Sequence, residues 1–327
     1  MGRTHVASYR AAGARLVAVC DRSAANLTGE GGDGGNIGDG GSGRLFDPAA
    51  VRATADLEAF LATPGLEAVS VCTPTDTHFE VADAALSARM HVLIEKPVAL
   101  DVRTVLALER SAQQVSRLCM PAMCMRFWPA WAWVKEAIDD GRYGRVLQAA
   151  FERLGARPGW GEGFYNDEDR SGGALFDLHV HDTDFVTHCF GLPEAVESVG
   201  DARAMTTIYR YQEGDGPAQV VARGGWMVGE GFPFRMRMTV EFEGAVADFD
   251  LGRDPELVVY EAGGETVVPR VGGHSGWDGE IAAFVRAVEA KVPVAPATLR
   301  SAALSTSVLE SERKSLRTGQ RVAVAGI

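Results

Sequence analysis

The sequence predicts an α/β domain built on a parallel sheet, followed by an α+β domain with a large, mostly antiparallel open sheet. Three observations carry this reading. Short apolar runs over 16–20, 68–72 and 91–94 alternate with helix-length segments at about 3–12, 48–62, 77–89 and 101–116. Continuous apolar strands between helices indicate a parallel sheet covered on both faces. From about residue 145 the pattern changes to alternating or β-branched runs joined by short glycine connections, which indicates antiparallel meanders. Finally, 327 residues are enough for two cores of ordinary size. We place the boundary at 124/125, giving domains 1–124 and 125–327.

The parallel-strand runs each end in polar or special residues: Asp21, Thr73-Pro74 and Glu95-Lys96-Pro97. Ligands of such sheets bind beyond the carboxyl ends of the strands. An acid at the end of the second strand of a dinucleotide fold accepts ribose hydroxyls and repels a 2′-phosphate. Asp21 therefore favours NAD over NADP, with NADP kept open by the neighbouring Arg22. The competing reading makes Asp21 an ordinary strand-end turn residue or the N-cap of a helix from Ser23. A dinucleotide fold opens with a strand and a Gly-x-Gly-x-x-Gly turn. Here Met1-Gly2-Arg3 runs straight into a helix, so Gly2 matches only the last glycine of that turn. We expect a longer reading frame to supply the strand and the rest of the turn. Residues 29–43 hold nine glycines and read as a surface loop. Within them, Gly31-Gly32-Asp33-Gly34-Gly35-Asn36 resembles one calcium-binding turn without the repeats such turns need.

In the second half, strands are expected over 146–153, 218–226, 235–243, 245–250, 256–261 and 266–270, and helices over 173–190, 278–290 and 299–317. One face of that sheet would be a natural subunit interface, so a homodimer or homotetramer is expected. On the 173–190 helix, Asp177, His181, Asp184 and His188 are spaced 4, 3 and 4 and form one polar stripe. Such groups are costly to bury without purpose; the alternative is a solvated helix face. His179 and His181 also form His-x-His, a zinc pattern on strands. On a helix, residues two apart lie about 200° from each other and cannot chelate one ion. No metal is expected.

Composition narrows the function classes. Lys and Arg number 32 against 44 acids, a net charge of −12. Such a surface repels polyanions, which argues against nucleic acid. No stretch approaches the ~18 apolar residues of a membrane helix, and the N-terminus has no apolar signal core. The five cysteines, Cys20, Cys72, Cys119, Cys124 and Cys189, lack metal-site spacing and suit small buried hydrophobes. We expect a reducing cytoplasm and no membrane partner.

The motifs together resemble the Gfo/Idh/MocA oxidoreductases, named for glucose–fructose oxidoreductase and inositol dehydrogenase. The family's Thr-Pro-x-x-x-His is matched by Thr73 to His78, its Glu-Lys-Pro by Glu95-Lys96-Pro97, and its Gly-Gly-x-Leu-x-Asp-x-Gly-x-His-x-x-Asp by Gly172 to Asp184. Its Ser-Leu-x-Thr-Gly is matched by Ser315 to Gly319. His179 departs from the family's glycine. The resemblance implies a Rossmann domain, a substrate domain, and hydride transfer between NAD(P) and a sugar, inositol or sugar-derivative alcohol. It implies that His181 takes the hydroxyl proton, Asp177 orients His181, and Lys96 binds the same oxygen; some relatives give the base role to the lysine. Gly2, Arg3, Asp21, Thr73, Pro74, His78, Glu95, Lys96, Pro97 and Arg126 are the implied cofactor residues. Trp160, Phe164, Tyr165 and Asn166 are candidates to meet the polyol. The same fold also serves cofactor- or sugar-sensing proteins without turnover.

Overall fold

The computed structural model describes residues 1–30, 43–159, 163–214, 216–290 and 297–327. The Gly31–Asn36 turn and Trp160 lie outside the described residues. The chain divides into two compact units. One comprises 1–99, 103–124 and 275–300; the other comprises 100–102, 125–274 and 301–327.

The first unit begins with α1 (Gly2–Ala11), β1 (Ala18–Cys20), β2 (Arg52–Thr54), α2 (Leu57–Leu61), β3 (Ala68–Val71), α3 (His78–Ser87), β4 (His91–Ile94), α4 (Val102–Val115) and β5 (Cys119–Pro121). All its strand pairs are parallel. Among the described residues they lie in two sheets, β1–β2 and β3–β4–β5. The helix expected over 48–62 is corrected. Residues Arg52–Thr54 extend as β2 beside β1. Helix α2 starts only after Asp56, whose carboxylate caps the Ala59 N–H.

The second unit holds α5 (Pro129–Asp139), β6 (Val146–Ala156), α6 (Glu168–Ser171), a π-helical turn (Leu175–His179), α7 (Val180–Phe190), β7 (Ala195–Gly200), β8 (Ala204–Arg210), β9 (Gln219–Met227), β10 (Arg235–Phe242), β11 (Ala245–Asp250), β12 (Leu257–Glu261), β13 (Thr266–Val267) and β14 (Val322–Ala323). Among the described residues its sheet has nine strands in the order β13-β12-β11-β10-β6-β9-β8-β7-β14. Of the described pairs, only β6–β9 is parallel. Inward residues of the sheet meet α5 and α7: the Trp131 ring lies 4.7 Å from Phe185 and 5.9 Å from Phe249. Such aromatic pairs add ~0.5–1.5 kcal/mol beyond their area. The other face carries charged pairs. Arg223 pairs with Glu152, Arg237 with Asp250, and Arg253 with Asp248.

The expected 125–327 domain is interrupted. Helix α8 (Gly276–Glu289) belongs to the first unit. Ser275 and Asp278 form a capping box at its start, and Asp278 also accepts the Ser8 hydroxyl of α1 at 2.6 Å. Ile281 and Phe284 are fully buried. Helix α9 (Leu299–Thr318) then returns the chain to the second unit.

Candidate active site

In the first unit, β4 drives a buried run to the sheet's carboxyl end. Residues 92–99 are all buried except Lys96. The Lys96 backbone N–H donates to Glu95 Oε2 at 3.1 Å. Glu95 Oε1 meets His5 Nε2 at 2.9 Å. His5 Nδ1 lies 2.7 Å from Ser70 Oγ, which Tyr9 Oη approaches at 3.2 Å. Burial disfavours charge on both groups, and their pairing overcomes it. Glu95 is held down at about 2 by His5 and Lys96. His5 is raised well above 6.5 by Cys72 and Glu95. His5, Cys72 and Glu95 also bring ligand-type atoms within 4.8 Å of one another, but both His5 nitrogens already serve Ser70 and Glu95. Glu280, fully buried on α8, is pushed well above the usual carboxylate range by burial and by Glu95.

His78, expected beside the cofactor, is a buried clamp. Its Nδ1 lies 2.9 Å from the Pro97 carbonyl and its Nε2 2.8 Å from the Thr73 carbonyl. It ties the Thr73-Pro74 and Glu95-Lys96-Pro97 strand ends together, and burial lowers its pKa. Thr73 and Pro74 are exposed. Asp21 is partly exposed and accepts from the Ser23 N–H at 2.7 Å and Asn26 Nδ2 at 2.9 Å. Asn26 in turn accepts from Arg3 at 3.2 Å. The helix at Ser23 is only a 3₁₀ turn, Ala24–Leu27, so Asp21 organises a turn rather than capping an α-helix. Helix α1 opens at Gly2 with no side-chain cap. An uncapped helix N-terminus and a strand-end carboxylate are the kinds of group that receive the phosphates and adenosine ribose of a dinucleotide.

In the second unit, two glycines set the approach to the second run. Gly172 and Gly173 have φ of 74° and 67°. A Cβ on Gly172 would fall 2.5 Å from Phe176, and one on Gly173 2.7 Å from the Ala202 carbonyl. Both left-handed geometry and space therefore demand glycine. Residues 171–186 are then buried except Asp177 and His181. Three consecutive side chains anchor α7 beneath them. Asp182 pairs with Arg153 at 2.9 Å. Thr183 bonds Tyr209 and Glu312 at 3.0 and 3.1 Å. Asp184 takes two bonds from Arg126, at 2.6 and 2.8 Å, and one from Ser305 at 2.8 Å.

These contacts correct several expectations. The regular stripe Asp177–His181–Asp184–His188 does not form, because a π turn replaces α-helix over Leu175–His179. Asp184 is an anchor for Arg126, expected at the cofactor. The Arg126 guanidinium faces Asp184 with Nε and Nη2 and Ser301 with Nη1. His188 is half-buried, and burial followed by Arg126 lowers it to about 4. Of the loop candidates, Tyr165 packs edge-on to Trp226 at 5.9 Å. Phe164 packs on Tyr165 and under Arg170. Asn166 is exposed. Sequence reasoning missed His5, Arg153 and Glu312. Arg153 carried a signal: it shares the inward parity of Phe151 on β6, and a buried arginine needs a partner.

Comparison with known proteins agrees with this arrangement. Residues 1–123 match the model of the GFO/IDH/MocA oxidoreductase family, described as an NAD-binding Rossmann fold, and 131–254 match that family's C-terminal domain. An uncharacterized oxidoreductase of Synechocystis sp. is 34% identical over 139 residues, covering 42% of this chain and 38% of the relative. The scyllo-inositol 2-dehydrogenase (NAD(+)) of Bacillus subtilis is 29% identical over 157 residues, covering 47% of this chain and 44% of the relative. The chain thus spans under half the length of these relatives. A levoglucosan dehydrogenase, solved with NADH and levoglucosan, shares the fold with a TM-score of 0.82 at 19% identity, covering 100% of this chain and 97% of that one. With both parts matched in order along one chain, the protein belongs to the Gfo/Idh/MocA oxidoreductase family.

Proposed function

We propose that the protein is an NAD-dependent oxidoreductase that interconverts an alcohol and a carbonyl on a sugar, inositol or sugar derivative. One observation carries the reading. In two otherwise buried runs, the residues that reach solvent are Lys96, Asp177 and His181. Otherwise buried chain that leaves a lysine, a carboxylate and an imidazole partly exposed holds proton-transfer groups on well-packed backbone where a substrate can reach them.

In the oxidising direction, His181 takes the proton of the substrate hydroxyl. Asp177 orients the imidazole and stabilises its charge once protonated. Lys96 binds the same oxygen and offsets negative charge as the O–H bond breaks. The hydride acceptor for the carbinol carbon would be supplied by NAD when bound. Gly2 would receive its phosphates at α1, and Asp21 its adenosine ribose; a 2′-phosphate would be repelled. Thr73, Pro74 and Pro97 line the strand ends that border the cofactor. Phe164 and Asn166 would meet the polyol.

The protein works in the cytoplasm and as a homo-oligomer through the nine-stranded sheet, whose charged ladder would then have to find complementary charge on a second copy; sedimentation velocity tests the association. The activity test is NAD reduction by the purified protein against a panel of inositols, hexoses and sugar nucleotides. Turnover with at least one, lost in His181→Ala, supports the reading. Tight NAD binding with no turnover on any member would instead favour a cofactor- or sugar-sensing role.

A further inference from the structure

We propose that His179 is a positioning residue: its buried ring, fitted between Glu312 and Gly224, fixes the π turn that presents Asp177 and His181. The inference rests on the reading of Asp177 and His181 as the proton-transfer pair. His179 lies midway between them in sequence and, unlike them, is fully buried, at 0% exposed. Its Nε2 lies 3.3 Å from Glu312 Oε2 and 3.3 Å from Tyr209 Oη. Thr183 closes the circuit, bonding Tyr209 at 3.0 Å and Glu312 at 3.1 Å. One imidazole therefore joins the π turn to β8 (Ala204–Arg210) and α9.

The opposite side of the ring is fitted by an absence. Gly224 sits on β9 (Gln219–Met227). A Cβ there would come within 2.6 Å of His179 Nδ1, 2.9 Å of its Cβ and 3.0 Å of its Cγ. Real side chains do not pack that closely, so the bare position at 224 and the imidazole at 179 are one fitted pair. The charged and titratable groups that act on the ring are Glu312 from α9, Tyr209 from β8, Arg153 from β6 and Asp182 on its own helix. Burial disfavours the imidazolium, but Glu312 more than offsets it. A glycine at 179 would empty the space and remove the imidazole beside the buried Glu312 Oε2, leaving a buried polar group with less company, a costly state. A π turn carries one residue more than an α turn and is tolerated where tertiary contacts hold it. Here the holding contact is inserted within the turn itself.

The test compares His179→Gly, His179→Gln and Gly224→Ala, with the His179→Gly/Gly224→Ala double variant. Amide hydrogen exchange is read on peptides covering 174–182, and steady-state kinetics on the same proteins. His179→Gly should speed exchange in 174–182 by roughly ten-fold or more, leaving peptides of α4 and β11 (Ala245–Asp250) unchanged. Turnover should fall roughly 10–100-fold, with KM for NAD altered less than about two-fold. His179→Gln keeps volume and a hydrogen bond and should recover most of both. Gly224→Ala should loosen the same peptides in the parent but add little in the His179→Gly background. Where His179→Gly does not fold, Gly224→Ala and His179→Gln carry the same readouts. Unchanged exchange in 174–182 overturns the proposal, as does faster exchange with full turnover, or a Gly224→Ala effect equal in both backgrounds. Should the parent turn over no panel substrate, the catalytic reading fails on its own; exchange and the 179–224 coupling then decide whether this ring holds the turn.

Discussion

The run around Lys96 and the run around Asp177 and His181 expose their polar residues alike, yet they are held differently. Lys96 follows a short parallel strand, and its position rests on neighbours: Glu95, His5 and the His78 clamp. Asp177 and His181 straddle an irregular turn whose following residues reach across β6, β8, α9 and the segment holding Arg126. A strand end is stiffened by its ladder, so a small local network suffices. A π turn has no such ladder and borrows its rigidity from distant charge pairs. Damage to the second run should therefore appear first as lost stability, and damage to the first run as a change in local electrostatics.

The largest expected effect comes from breaking one anchor. Asp184→Ala strands the Arg126 guanidinium in a buried site and should cost about 3–5 kcal/mol in urea unfolding. Replacing both partners with apolar residues, as in Arg126→Met/Asp184→Leu, should recover much of it. A cost below about 1 kcal/mol for Asp184→Ala would show that α7 is not held through Arg126.

Next is Glu95→Gln, expected to cost about 1–3 kcal/mol near neutral pH. Its pH signature is sharper than its size. Glu95 lies at about 2 when folded against an ordinary 4.5, so its contribution is complete above pH 4.5 and lost as pH falls toward 2. His5 is raised well above 6.5, so its contribution is complete below 6.5 and lost as pH rises through its folded value. Stability from the pair peaks between those limits. Glu95→Gln should flatten the acid limb of Tm against pH; an unaltered acid limb would remove the pair from the picture.

The smallest effect is at the cofactor end. Asp21→Ser should shift the NADP-to-NAD affinity ratio toward NADP by roughly ten-fold, about 1.4 kcal/mol. No shift would mean that the Ser23 and Asn26 contacts consume the carboxylate.

Much of this was legible in residue patterns, and the failures have physical causes. The strand at 245–250 is found as expected because Ala245, Ala247 and Phe249 alternate with polar residues. Strand β8 escaped notice because its inward set, Met205, Thr207 and Tyr209, includes a buried threonine that blurs the alternation. Strand β2, Arg52–Thr54, has no apolar signature and forms by pairing with β1. The glycine pair at 172 and 173 was legible only as part of a family motif, and the structure explains it sterically. Spacing alone could not show the π turn. It therefore grouped Asp184 with Asp177, and it gave His179 no role beyond a departure from the family's glycine. Burial and the Glu312 contact place His179 inside the fold instead.

The two-run picture stands or falls on separating turnover from stability at the exposed residues. Turnover, NAD affinity and urea stability should be measured together for His181→Ala, Asp177→Ala, Lys96→Ala and the His181→Ala/Asp177→Ala double variant. Turnover should fall ~10²–10⁴-fold in His181→Ala, and the double variant should lose little more than the worse single one. NAD affinity of the His181 and Asp177 variants should hold, and all should unfold within about 1 kcal/mol of the parent, since partly exposed side chains hold little of the core. Full turnover in His181→Ala, or additive losses in the double variant, would contradict the assignment of Asp177 and His181 as one proton-transfer unit.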